Sequence, residues 1–265
     1  MKILSLILAV LILSSCSEVE EEQVIEINGW TTQEELNSFR QELENMQVFE
    51  GDITIGHLVN DISPLYTLRE ITGELYVSGS EFSSFELPNL ERVGKLKIGG
   101  NSTLREIDMP NLKSAGEQVV RITFNDSLQI INLPALERYK GLNFQWNPLL
   151  NQVNLQQSIP EACQGIIVHF DYINAGSALF QNSTHFCYSV YVEVSRAERS
   201  DLSWLSNLDA DSILVNTTLA GDFQVDKFCF LKEKLSQMNY PHNFKIGPPI
   251  GSYDFTGYDI IQACD

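Results

Sequence analysis

Between residues 51 and 155 the apolar positions recur in blocks. Three segments align residue type by residue type: FELPNLERVG (85–94), IDMPNLKSAG (107–116) and INLPALERYKG (131–141). Their prolines return after 22 residues (Pro88 to Pro110) and after 24 (Pro110 to Pro134). Each block is joined to a short stretch of strict alternation: GELYV (73–77), GKLKI (94–98), VVRI (119–122) and GLNF (141–144). Alternation with period two is the mark of a strand with one buried face. A block period of roughly 20–50 residues marks a solenoid, in which a turn buries its apolar side chains only against its neighbours.

Written turn by turn, the pattern gives columns. The inward strand positions are Ile53/Ile55, Leu75/Val77, Leu96/Ile98, Val120/Ile122 and Leu142/Phe144. Further round each turn come Leu104, Leu128 and Leu150, then Phe85, Ile107, Ile131 and Val153. Leu87, Met109, Leu133 and Leu155 follow, with Leu90, Leu112 and Leu136 on another side. Gly73, Gly94 and Gly141 precede strands, where a tight bend needs a residue without a Cβ. Ahead of the repeats, Gly29 to Gln47 has helical spacing: Leu36, Phe39, Leu43 and Met46 share one face, and Thr32 with Glu35 forms a capping-box pattern. This helix is expected to cover the first turn. Beyond residue 160 the pattern weakens. Val192-Glu193-Val194 resembles Ile53-Thr54-Ile55, Ile213–Val215 resembles Leu75–Val77, and Phe244-Lys245-Ile246-Gly247 resembles Leu96-Lys97-Ile98-Gly99. A degenerate second set of turns from about 188, continuous with the first through 160–187, is therefore expected.

The run LPNLERVGKLKIGGNSTLREIDMPNLKSAG resembles the receptor L domain, the leucine-rich-repeat-like unit of growth-factor receptor ectodomains and of some microbial surface proteins. The likeness covers roughly residues 50–160. It implies a mainly β chain folded as a right-handed parallel β-helix, with an exposed strand face for ligands and no catalytic residues.

Residues 1–15 read as a targeting segment, with Lys2 followed by the apolar run ILSLILAVLIL. Leu13-Ser14-Ser15-Cys16 resembles the lipobox of bacterial lipoproteins; an ordinary secretory signal is the plainer alternative. The resemblance implies cleavage before Cys16, a lipid on its thiol and attachment to a membrane, since several buried acyl chains anchor stably. The acidic stretch SEVEEEQ (17–23) is a solvated tether, and it also resembles the surface-export signal of some Gram-negative lipoproteins. The expected location is the outer membrane, with the chain displayed at the cell surface. The organisation expected is thus a signal peptide (1–15), a tether (16–28), a helix with receptor-L-like turns (29–159) and a degenerate continuation with four cysteines (160–265).

The 265 residues carry a formal net charge of −18. So strong an acidic excess argues against a nucleic-acid partner, which would need a broad basic surface. Apart from Cys16 there are four cysteines, Cys163, Cys187, Cys229 and Cys264. An even number in an exported chain points to disulfides with three connectivities open, and sequence proximity favours Cys163–Cys187 with Cys229–Cys264. No spacing supports a metal site, and His57, His169, His185 and His242 are scattered. No nucleophile motif, phosphate loop or cofactor signature occurs, so no catalytic residue and no cofactor are assigned. Asn101, Asn182 and Asn216 head Asn-x-Ser/Thr triplets, discounted because the lipobox points to a bacterial source. The C-terminal DIIQACD lacks the apolar tail of a GPI signal.

One stretch offers chemistry. The outward strand positions Thr54, Tyr76, Lys97, Arg121 and Asn143 form a column in which Lys95, Lys97 and Arg121 cluster beside Tyr76 and Asn143. A basic and aromatic strip on so acidic a chain would attract an anionic glycan or an acidic peptide. Pairing with neighbouring acids such as Glu74 is the bland alternative. The expected role is non-catalytic binding of a protein or glycan, as an adhesin or a nutrient-capture accessory. A structural role in the envelope comes second. A polysaccharide-degrading β-helix enzyme comes third, because such cleavage needs two carboxyl groups about 5–10 Å apart and the column holds none.

Overall fold

The computed structural model describes residues 32–155, 167–171, 184–194, 205–206, 208–217, 225–238, 243–247 and 255–264. In chain order the strands are β1 (Val48–Phe49), β2 (Ile53–Ile55), β3 (Glu70–Ser78), β4 (Ser84–Glu86), β5 (Arg92–Gly99), β6 (Glu106–Asp108), β7 (Val119–Thr123) and β8 (Ile130–Leu133). They continue with β9 (Gly141–Gln145), β10 (Gln152–Leu155), β11 (Ile167–Asp171), β12 (Thr184–Val194), β13 (Leu208–Thr217), β14 (Phe244–Gly247) and β15 (Phe255–Thr256). Two sheets result. The long one runs β1-β3-β5-β7-β9-β11-β12-β13-β14-β15, with β2 also on β3; the short one runs β10-β8-β6-β4. Pairing is parallel between successive turns, as a solenoid requires, and among the described residues only β15 runs antiparallel to its neighbour, β14.

Why these residues stack is visible in their burial. The expected inward positions of the long sheet, from Ile53/Ile55 to Leu142/Phe144, are all buried, facing Phe85, Ile107, Ile131 and Val153 from the short sheet. Leu87, Met109, Leu133, Leu90, Leu112 and Leu136 close the corners, and of the predicted columns only Leu155 is half-buried. Burying such a side chain fully is worth about 1.5–3 kcal/mol, and each column repeats that gain at every turn.

The C-terminal half departs from the expected register in two places. The segment read as a joiner supplies a strand of the long sheet, β11, which pairs with both β9 and β12. Val192 pairs with Val215 and Val190 with Ile213, so the counterpart of Ile53/Ile55 is Val190/Val192, two residues before the expected Val192/Val194. A slip of two keeps every side chain on its expected face, so alternation alone cannot detect it. The Phe244/Ile246 match holds, with Phe244 paired to Ile213 and Ile246 to Val215.

The predicted helix over Gly29–Gln47 is two helices in the described residues, α1 (Gln33–Ser38) and α2 (Arg40–Asn45), broken at Phe39. The Ser38 hydroxyl donates to the Glu35 carbonyl at 2.7 Å, competing with the helical ladder at the break. The predicted capping box is present, and the predicted face turns inward, with Leu36 and Leu43 buried and Phe39 and Met46 packed against the core. Near the C-terminus come α3 (Lys232–Gln237) and α4 (Gly257–Ala263). Cys229 and Cys264 are joined by a disulfide, their Cα atoms 5.5 Å apart. Cys163 lies outside the described residues, and Cys187 falls in β12. Among the described residues no helix is long and apolar enough to cross a membrane.

Register between turns is fixed by polar groups. Just after the strands of the long sheet, Asn101, Asn125 and Asn147 are fully buried and form a ladder with Ser80. Each side-chain oxygen accepts from the backbone N–H of the preceding turn's ladder residue: Ser80 to Asn101 at 2.9 Å, Asn101 to Asn125 at 3.2 Å and Asn125 to Asn147 at 3.1 Å. Each amide group donates to a carbonyl in the strand of the turn before, Val77, Ile98 or Ile122. Asn101 is therefore occupied as a bridge between turns and is closed to glycosylation. On the outer corner Arg69, Glu91 and Lys113 stack with alternating sign, at 2.8 and 2.9 Å. Exposed pairs of this kind add little stability, but a one-residue slip would place the wrong residues beside each other. Gly73 and Gly94 are needed for approach between turns, since a Cβ there would collide with the backbone of Gly51 and Thr72 respectively. The absence of a Cβ was expected from a tight bend; its physical reason is this contact.

The ladder carries a prediction. Asn125→Leu removes the side-chain acceptor of the buried Asn101 N–H and a donor to the Ile98 carbonyl, at about 1–3 kcal/mol for a buried group left unpaired. The urea midpoint should fall accordingly, and a loss below ~1 kcal/mol would show that the ladder is dispensable.

Candidate functional site

The register places the predicted outward residues in one line. Thr54 pairs with Tyr76, Tyr76 with Lys97, Lys97 with Arg121 and Arg121 with Asn143. The same line continues through His169, Tyr191, Leu214, Lys245 and Thr256. Sequence reasoning named the first five positions, and its matches of Ile213–Val215 and Phe244–Gly247 imply Leu214 and Lys245; His169 and Tyr191 needed β11 and the corrected register.

Lys95 and Lys97 lie on β5 and Arg121 on β7. Both lysines turn to one acid, Glu74 of the preceding turn: Lys95 Nζ is 3.0 Å from Glu74 Oε2 and Lys97 Nζ is 2.8 Å from Oε1. Partial burial pushes the Glu74 carboxyl up, but the two ammonium groups together outweigh it and hold the carboxyl below its usual value. The Glu74 contact in turn raises Lys97 above the ordinary lysine value against its partial burial, while nearby Arg121 acts the other way. Lys97 Nζ also sits 5.5 Å from the centroid of the Tyr76 ring, within cation–π range. For the lysines, then, the bland alternative of pairing with Glu74 is what the structure contains. Arg121 differs. It is exposed, and among the described residues it forms no ion pair.

Beyond the ends of these strands lies a feature missed in the sequence. Phe124 and Trp146 stand on adjacent turns with their rings stacked, centroids 5.6 Å apart and planes 7° from parallel. Both are exposed, Phe124 at 57% and Trp146 at 39%. Both have left-handed backbones, φ 59° and 57°, a conformation that costs a residue with a Cβ about 1–2 kcal/mol. The same position in the two earlier turns is glycine, Gly79 at φ 64° and Gly100 at φ 73°. Each member of this column directly precedes a ladder residue: Gly79-Ser80, Gly100-Asn101, Phe124-Asn125, Trp146-Asn147. The ladder imposes the left-handed bend, and two turns satisfy it with large apolar rings. The signal was present in GGN (99–101), TFN (123–125) and QWN (145–147), where an aligned Gly marks a φ > 0 position that an aromatic then occupies.

The step from Gly100 to Phe124 opens an open-sided depression of about 380 Å³, lined by Tyr76, Ser78, Lys97, Gly99, Gly100, Arg121, Thr123 and Phe124. Of the predicted ligand-binding residues, the structure brings Tyr76, Lys97 and Arg121 together here. Lys95 sits two residues back along β5, and Asn143 hydrogen-bonds locally to Gln145. Cys16, the predicted lipid attachment, lies outside the described residues. No family model, curated protein or solved structure matches this chain.

Two predictions follow from this geometry. In Phe124→Asn, relief of a left-handed cost of about 1–2 kcal/mol offsets a lost ring stack of about 0.5–1.5 kcal/mol. Unfolding free energy should therefore stay within ~1 kcal/mol of the parent, whereas Leu96→Ala loses about 2–5 kcal/mol; a Phe124→Asn loss comparable to that of Leu96→Ala would make the ring a structural element. The second concerns pH. A carboxyl whose folded pKa is depressed contributes stability that is complete above its unfolded pKa, about 4.3 for Glu, and that vanishes as pH falls through the folded value. Glu74→Gln should therefore be less stable than the parent at neutral pH, with the gap closing under acid; a gap of constant size across the acid limb contradicts the role given to Glu74.

Proposed function

We propose that this protein is a lipid-anchored, non-catalytic binding protein, held to the outer membrane through Cys16 and displayed at the cell surface. It takes a glycan on the exposed face of its solenoid, as an adhesin or as an accessory to nutrient capture. The anchor rests on the lipobox-like Leu13-Ser14-Ser15-Cys16, and the outward display on the acidic tether behind it. We read the turns as receptor-L-like, from the repeat in the sequence, and α1 and α2 as the cover of the first turn, because a solenoid end left open would expose a strand edge and apolar side chains.

The observation that carries the binding role is the stacked pair Phe124–Trp146. Large rings at Phe124 and Trp146 are held partly exposed in a backbone conformation that disfavours them, and strain of this kind concentrates at functional positions. A flat, parallel aromatic platform beside hydrogen-bonding groups matches the apolar face and hydroxyl rim of a sugar ring. An enzyme reading finds less support, since no residue of the strand-face column is a carboxylate.

The test is to probe an oligosaccharide array with the full-length protein in detergent, beside its Phe124→Asn/Trp146→Asn double variant. Glycan binding weakened at least about tenfold in the double variant is expected, in line with the loss of two ring contacts. Binding that survives the double substitution, or an array without a hit, overturns the proposal.

A further inference from the structure

Resting on that reading, we infer that the depression between Tyr76, Arg121 and Phe124 is a subsite for a carboxylate-bearing sugar, its ring stacked on Phe124 and its carboxylate held by Arg121. One face of the Phe124 ring is covered by Trp146 from the following turn. The other looks toward the preceding turn, where the equivalent residue is Gly100, which has no side chain to cover it. That uncovered face forms a wall of the depression. A volume of about 380 Å³ lies near the lower end for small-ligand pockets, roughly 300–1,000 Å³, which suits one sugar unit of a longer chain better than a folded partner.

The charge of the subsite is set by which cation is already used. Lys97 lines the depression, but its ammonium group is committed to Glu74, which Lys95 shares. Their three charges sum to a single positive one spread over the pair and its acid. Arg121 lines the same depression with no ion pair among the described residues. Its planar fork of N–H donors matches a carboxylate in two parallel hydrogen bonds, a geometry that Lys cannot offer. On a chain of net charge −18 the overall field repels anions. A net positive pocket, open on one side to an uncovered ring face, is therefore a local exception with a definite preference. A neutral sugar would leave Arg121 without a partner, and an acidic peptide would leave the flat ring face without a matching surface.

The deciding experiment measures binding of oligogalacturonate and of the uncharged oligogalactoside of equal length to the full-length protein, with Arg121→Gln and Phe124→Asn beside it. Expected is a preference for the acidic chain of about tenfold or more, from one charge-assisted bidentate contact, that shrinks with added salt. Arg121→Gln should erase the preference and leave the weaker neutral binding in place, whereas Phe124→Asn should weaken both. Equal binding of the two chains, or a preference that persists in Arg121→Gln, overturns the acidic-sugar assignment while leaving glycan binding intact. Binding of neither sugar overturns this subsite, and the array of the preceding section then decides separately whether glycan binding itself stands. Capture of an acidic peptide in place of either sugar also overturns it.

Discussion

The register with which one turn hydrogen-bonds to the next is the constraint on which everything else in this protein depends. A single turn has no interior; its leucines and isoleucines are buried only when the next turn arrives with its own in line. The parallel backbone ladders bring turns to about 4.8 Å, but a ladder alone tolerates slippage. The buried asparagines remove that freedom. Asn101, Asn125 and Asn147 each tie a backbone N–H in the turn before to a side-chain oxygen and spend their own amide protons on a strand carbonyl. A fully satisfied buried network of this kind specifies one arrangement, since any shift strands several polar groups at once.

The same constraint creates the candidate site. To turn each Asn inward, the residue before it must adopt a left-handed backbone, and that residue's side chain is thrown outward beside the strand ends. With glycine there, at Gly79 and Gly100, nothing projects; with Phe124 and Trp146, a platform does. The depression lies at the boundary between the two choices. Structural necessity fixes the backbone, and side-chain choice at a position already constrained supplies the surface. This separates the two kinds of residue physically: Asn125 is held by stability, whereas the Phe124 ring is not needed by the core next to it.

Much of the fold was legible because the alternation and the proline spacing report burial directly. The buried columns from Ile53 to Phe144 and the outward line from Thr54 to Asn143 emerge from period two and a turn length near 22 alone. What escaped had specific causes. β11 (Ile167–Asp171) follows Ile159-Pro160 at the spacing at which β9 follows Leu133-Pro134, but Ala162 stands where the earlier blocks have Leu90, Leu112 and Leu136, so the block does not read as a repeat. The two-residue displacement at Val190/Val192 preserves facing and is invisible to alternation. Asn101 was legible only as a triplet for glycosylation, because a buried polar residue looks like any surface residue until its partners are known. Phe124 and Trp146 escaped because an exposed aromatic and a core aromatic are the same letters. Only their alignment with Gly100, and hence with a left-handed backbone, tells them apart.

Charge on the strand face follows a similar logic of use and surplus. By pairing β3 with β5, the sheet brings Lys95 and Lys97 within reach of one acid, Glu74, and by pairing β5 with β7 it sets Arg121 beside Lys97. Glu74 accepts both lysines and thereby settles the part of the strip nearest the N-terminal turns. Arg121 lies one turn further on, opposite Asn143 and Lys97 in the register, where neither neighbour in the column is an acid. Its freedom thus comes from position in the solenoid: each turn can neutralise only the turn beside it. A basic strip that looks continuous in sequence becomes a neutralised segment followed by one available guanidinium, and that guanidinium stands where the platform of rings begins. In this architecture a binding surface needs only two neighbouring turns to differ from their predecessors, one in charge pairing and one in the residue before its asparagine.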